Sequence, residues 1–130
     1  MRIKLISVFV NDQEKALRFY TGTLGFVKKA DVSAGEYRWL TVVSPEEPDG
    51  AQLLLEPNAN PAAKTYQDAL FAQGIPAASF FIDDLQKEYD RLRTMSVTFK
   101  SGPTQAGPAM IAVLDDTCGN LIQISQVQGY

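Results

Sequence analysis

In IKLISVFVN (residues 3–11), apolar and polar side chains alternate and branched and aromatic residues dominate, so the stretch predicts a strand. Asp12 is placed to cap a helix, and Glu14 in its first turn suits the helix dipole. Ala16, Leu17, Tyr20 and Leu24 then recur at helical spacing, with Phe19 beside them and Gly22 and Gly25 at the exit. Phe26–Val32, EYRWLTVVS and AQLLLEP read as three strands, the last two separated by the turn PEEPDG. NPAAKTYQDALFAQG predicts a connecting helix with Gly74 as its stop signal. AASFFID is a further strand. Asp83 or Asp84 caps a helix through Arg93 that carries Leu85, Tyr89 and Leu92 on one face. VTFK, AMIAVLD and NLIQISQ complete the pattern as strands, with SGPTQAGP and DDTCG between them as loops.

The order strand, helix and three strands thus occurs twice. Laying VFVNDQEKALRFY over FFIDDLQKEYDRL puts Asp12 on Asp84, Lys15 on Lys87, Leu17 on Tyr89 and Tyr20 on Leu92. Shared identities are few; the recurring element order is what argues for an internal duplication. The expected fold is α+β, two tandem βαβββ modules. Module 1 spans about residues 1–57, a linker helix 58–75 and module 2 76–130 of a single domain.

Composition narrows the chemistry. A chain of 130 residues can bury a core, and 45% apolar with 21% charged residues is ordinary for a globular protein. The net charge is −3 and no basic stripe occurs, which argues against nucleic acid. No apolar run is long enough to cross a bilayer. Arg2 and Lys4 lie in a strand-like start that Asp12 ends, with no small-residue cleavage site after it, so no signal peptide is expected. The single cysteine, Cys118, leaves no internal disulfide and fits a cytoplasmic location. There is no histidine. That excludes Ser-His-Asp and Cys-His catalysis and two-His-one-carboxylate iron sites, and it leaves no four-ligand Cys/His zinc site.

VFVNDQEKALRFYTGTLGF (Val8–Phe26), SFFIDDLQKEYDRL (Ser79–Leu92) and DDTCGNLIQI (Asp115–Ile124) together resemble the vicinal oxygen chelate superfamily. This group includes glyoxalase, extradiol dioxygenases and bleomycin-resistance proteins. The first stretch is similar to the superfamily's opening strand and D-x-x-x-x-x-x-F-Y-x-x-x-L-G-F helix. The last is similar to its D-P-D-G-N-x-I-E ending, with Thr117 and Cys118 in the turn and Gln123 where glutamate is usual. The resemblance covers essentially the whole chain. It implies a cup-shaped, partly open mixed β-sheet with helices outside, a ligand pocket in the cup and pairing as a homodimer.

The resemblance also implies where a divalent metal would be held, by one residue from the first and last strand of each module. Carried over position by position, these are Leu5, a residue near Leu54, Ala77 and Gln123. Leu5, Leu54 and Ala77 offer no donor, and Gln123 offers only a weak amide oxygen. Glu56 lies two residues beyond Leu54 and shares its strand face. The expectation is therefore no resident metal and no cofactor.

Gln123 has two readings: a hydrogen-bonding group facing the ligand, or an amide satisfied by neighbouring backbone or buried water. Glu56 is either a counter-charge or proton acceptor, or a solvated residue at a strand end. Tyr37 and Trp39 share one strand face and would wall a pocket for a small aromatic or drug-like molecule, or else pack against a helix. Phe9, Phe80 and Phe99 are assigned to core or pocket without a choice between them, with Phe80 and Phe99 carried as pocket candidates. Tyr20 and Tyr89 sit at core-facing helical positions. Cys118 in its turn is expected to be an accessible but unactivated thiol. Three functions compete. The preferred one is a metal-independent small-molecule binder. The alternative is a lyase or dioxygenase using an oxygen-ligated metal with Glu56 as base. The third is a module that uses the fold only for association.

Overall fold

The computed structural model describes residues 1–128. Eight strands and three α-helices follow in the order β1 (Leu5–Val10), α1 (Gln13–Leu17), β2 (Val27–Ala34), β3 (Tyr37–Val43), β4 (Gln52–Pro57), α2 (Pro61–Gln73), β5 (Ala78–Phe81), α3 (Leu85–Thr94), β6 (Phe99–Ala106), β7 (Ala109–Asp115) and β8 (Leu121–Val127). They form two open four-stranded mixed sheets, ordered β1-β4-β3-β2 and β5-β8-β7-β6. In each, the first strand pairs parallel with the last, and the other neighbours are antiparallel. The duplicated order read from the sequence is therefore also a duplicated topology. By compactness the chain divides between Tyr66 and Gln67, within α2.

In the N-terminal unit, Asp12 caps α1 as expected, its Oδ1 accepting from Lys15 N at 3.0 Å. The helix then widens into a π-helical stretch, Arg18–Thr23. Simple 3.6-residue spacing did not anticipate that change. Val8, Val10, Leu40, Val42, Leu53 and Leu55 share the sheet face beneath α1 and are buried with Ala16 and Tyr20. Tyr20 has no exposed surface, with the Phe19 ring edge-on at 5.7 Å and Phe26 stacked at 6.4 Å.

The C-terminal unit repeats the device. Asp84, not Asp83, caps α3 by accepting from Lys87 N at 3.1 Å. Leu85 and Leu92 are fully buried over the face formed by Ala112, Leu114, Ile122 and Ile124. The expected loop SGPTQA is instead most of β6. It is an edge strand, so Pro103 withdraws no hydrogen bond from a neighbour on both sides, and register shifts at Phe99/Ser101 and Ser101/Thr104 absorb Gly102 and Pro103.

Candidate functional site

Strand register decides which candidate residues share a face, because side chains alternate across a sheet. In the N-terminal sheet Leu5 pairs with Gln52, Ser7 with Leu54, Phe9 with Glu56 and Thr41 with Leu54, while Trp39 pairs with Val32 and Tyr37 with Ala34. Leu5, Phe9, Tyr37, Trp39, Leu54 and Glu56 thus lie together on the face away from α1. Tyr37 and Trp39 are 43% and 44% exposed, large values for aromatic side chains in a sheet. Neither side chain makes a hydrogen bond or ring contact among the described residues. Glu56 is half-buried and likewise has no hydrogen bond or ion pair among them. Thr41 and Gln52 are tied on the same face, Thr41 Oγ1 donating to Gln52 Oε1 at 2.7 Å.

On the opposite face of that sheet, Arg38, Asp31 and Glu14 form an ion-pair cluster. Arg38 donates to both Asp31 oxygens at 3.0 and 2.7 Å and to Glu14 at 2.6 Å. The Arg38 hydrogen bond holds the Asp31 carboxyl below its ordinary value, and the two carboxylates, Asp31 first, hold the guanidinium above its own. This cluster fastens α1 to the β2–β3 hairpin and leaves no charge to the aromatic face.

In the C-terminal sheet, Ser79 pairs with Gln123 and Phe81 with Ser125. Gln123 Nε2 donates to Ser125 Oγ at 3.1 Å and to Ser79 Oγ at 3.3 Å, and the two hydroxyls are 3.1 Å apart. The other amide atom has no partner among the described residues. Both readings of Gln123 thus hold in part: half the amide is satisfied internally and half is available. Ser79 and Ser125 were missed in the sequence. Their only signal was the pairing of AASFFID with NLIQISQ, which needs the register.

Phe80 and Phe99 do not join Gln123. Phe80 pairs with Ile124, whose side chain points to the other face. Phe99 packs edge-on against Tyr89 of α3, with ring centroids 4.6 Å apart. The pocket role expected for these two phenylalanines is corrected accordingly. They belong to the helix-covered side.

The turn DDTCGN is a closed polar knot. Asp116 is fully buried and accepts from Cys118 N at 2.7 Å, Asn120 N at 3.0 Å and Asn120 Nδ2 at 2.8 Å. Gln67 of α2 donates to Cys118 O and Asn120 Oδ1. Cys118 is consequently buried, not accessible as expected from a turn position, because the turn folds under α2. Beside it lies a cleft of about 290 Å3 lined by Asp68, Phe71, Ala72, Asp115, Thr117 and Gly119. None of these carried a signal of a cleft in the sequence.

The model of the Glyoxalase/Bleomycin resistance protein/Dioxygenase superfamily matches residues 2–124. The chain belongs to this superfamily. It is 57% identical to the uncharacterized protein YurT of Bacillus subtilis (strain 168), over 97% of this chain and 99% of that one. Among solved structures it is similar to UcmS2, with TM-score 0.82 and 29% identity over 96% of this chain and 97% of that one. It is also similar to TnmS3, an antibiotic binding protein from Streptomyces sp. CB03234, with TM-score 0.78 and 28% identity over 98% of this chain and 97% of that one.

The superfamily resemblance implies a metal, and the residues at its positions can be tested for fit. Ser7 opposite Leu54 and Ser79 opposite Gln123 occupy matching rungs, so the register makes Leu54 the counterpart of Gln123. In the N-terminal unit the positions are then Leu5 and Leu54, both aliphatic, with Leu54 buried. In the C-terminal unit they are Ala77 and Gln123. An amide is the sole donor. No group of three or more Cys, Asp or Glu residues is placed to share a metal ion among the described residues. This donor set does not fit a superfamily metal centre, whose ions need several anionic or imidazole ligands.

Proposed function

We propose that this chain is a small-molecule binding protein that works without a metal, taking a flat aromatic or drug-like ligand. The observation that carries the reading is the placement of Tyr37, Trp39 and Glu56 on one sheet face. Two half-exposed rings stand there with a carboxylate that has no hydrogen bond or ion pair among the described residues, and the Arg38–Asp31–Glu14 cluster lies on the opposite face. Flat aromatic walls with few polar groups suit such ligands, and a carboxylate beside them adds preference for a cation. The similarity to an antibiotic binding protein supports the same class of ligand. We place the protein in the cytoplasm as a homodimer. The exposed apolar side chains Leu5, Ile6, Val27 and Val32 in one sheet support a protein partner there.

The test is a binding screen of planar aromatic compounds that are cationic, neutral or anionic, read by calorimetry and by emission of Trp39, the single tryptophan. Micromolar or tighter binding of a cationic or neutral aromatic supports the reading. Absence of binding across the panel overturns it. Glu56, with no hydrogen bond or ion pair among the described residues, also supports a second reading, a lyase or dioxygenase that uses it as base. Elemental analysis of protein purified without chelator separates the two, since one tightly held metal per chain would favour the enzyme.

A further inference from the structure

The ladder between β3 and β4 stops short. It pairs Val42 with Leu53 and Thr41 with Leu54, then ends. Beyond that point β3 continues on β2, from Leu40 opposite Asp31 to Tyr37 opposite Ala34. β4 continues on β1, from Val8 opposite Leu55 to Val10 opposite Pro57. The strands fork. Had the ladder run on, Trp39 would stand directly across from Glu56, with Cβ atoms about 5 Å apart. The next rung would set Arg38 against Pro57, which has no N–H to donate.

The fork is filled by a side chain. Gln13, at the start of α1, donates from Nε2 to Arg38 O at 2.7 Å and to Leu55 O at 2.9 Å, while its Oε1 accepts from Arg38 N at 3.0 Å. A primary amide carries the donor and acceptor that a strand residue would present, so it satisfies both backbone groups of Arg38 at once. The duplicated unit has no such fork. There β7 and β8 pair from Asp115 opposite Leu121 to Ala109 opposite Val127. The residue after the capping aspartate is Leu85, buried, and its backbone N–H donates to Gln126 Oε1 at 2.8 Å. The same helix start therefore carries an amide where the sheet is split and a leucine where it is closed.

We infer that Gln13 is a positioning residue for the binding face. By standing in for a strand residue at the fork, it holds β3 off β4 and sets the gap between Trp39 and Glu56, the width available to a ligand ring. The claim that the gap serves binding rests on the proposed function; the claim that Gln13 holds the fork does not. Two measurements separate them. The first needs no ligand: amide exchange at Arg38, with acrylamide quenching of Trp39, in wild type, Gln13→Leu and Gln13→Leu/Pro57→Ala. Gln13→Leu accelerates exchange at Arg38 and alters quenching. Adding Pro57→Ala restores a backbone donor, extends the ladder, protects Arg38 again and shields Trp39. Asp84→Ala, which removes a helix cap in the other unit, serves as the control for general destabilisation and leaves both signals unchanged. The second is calorimetric titration with acridine orange, a planar cation, for which the Gln13→Leu/Pro57→Ala protein binds at least about tenfold more weakly than wild type. Unchanged Arg38 exchange and Trp39 quenching in both variants overturn the inference. So does a changed fork with unchanged dye affinity. A wild type that binds no aromatic probe sinks the functional reading and the positioning role with it, while the exchange data still decide whether Gln13 holds the fork.

Discussion

Gly119 lies so close to Gln67 that a methyl group on its Cα would stand 2.7 Å from the Gln67 amide nitrogen. Its φ of +103° is also one that side chains rarely adopt. Steric exclusion and backbone strain therefore act together at the turn that feeds β8. Gly119→Ala is expected to cost about 3 kcal/mol in urea-induced unfolding. Gly107→Ala provides the comparison: φ is +59° but nothing lies within 4 Å, so about 1 kcal/mol is expected.

The buried carboxylate of Asp116 organises the same turn through three donors. Asp116→Ala removes the carboxylate that accepts from two backbone N–H groups and the Asn120 amide in a closed environment. A loss of about 3 kcal/mol or more is expected, because each unsatisfied buried donor costs about 1–3 kcal/mol. Asp116→Asn keeps one oxygen and is expected to cost less. Chemical denaturation of both variants checks the order.

Burial of Cys118 carries its own consequence. With no exposed surface, its thiol reacts with a thiol-specific reagent only through local or global opening. Native protein is expected to react slowly, and denaturation to release one fast equivalent per chain. Rapid stoichiometric labelling of native protein would contradict the packing of the turn beneath α2.

Stability at acid pH depends on Asp31. Its folded pKa is depressed by the Arg38 hydrogen bond, so its stabilisation is present above the unfolded carboxylate value, about pH 4, and is lost as pH falls through the lower folded value. Asp31→Asn is expected to lower the melting temperature slightly at pH 7, the pair being solvent-accessible, and the two proteins to converge below the folded pKa. A difference that persists undiminished at that acidity would assign the effect to packing rather than charge.

On the binding face, Trp39→Ala is expected to weaken an aromatic ligand by about 2 kcal/mol, roughly thirtyfold. Glu56→Gln is expected to weaken cationic ligands and leave neutral ones nearly unchanged. Neither substitution is expected to shift unfolding by more than about 0.5–1 kcal/mol, since Trp39 is 44% exposed and Glu56 has no partner to lose among the described residues. Parallel titrations with a cationic and a neutral dye distinguish the two roles.

The local rules were legible in the chain itself. Alternation marked β1, Asp12 and the pair Asp83 and Asp84 marked the two helix starts, and the repeated order of elements disclosed the duplicated topology. The absence of histidine, with aliphatic residues at Leu5, Leu54 and Ala77, already weighed against a superfamily metal centre. Each of these depends on residue type and short spacing, which a sequence displays directly.

Partnership across strands was decided only by tertiary structure. The sequence offered Phe80, Phe99 and Gln123 as one pocket, and the register put the phenylalanines and the amide on opposite faces. Cys118 looked accessible in its turn and is buried, because α2 folds over it. SGPTQA looked like a loop and is an edge strand, because bulges accommodate its glycine and proline. Gln13 carried no signal in the sequence, and its amide bonds the backbone of Arg38 and Leu55, residues far along the chain. Register, burial and the satisfaction of distant backbone groups are set by which segments meet, and period-two alternation assigns a side chain to a face only after its strand has a partner.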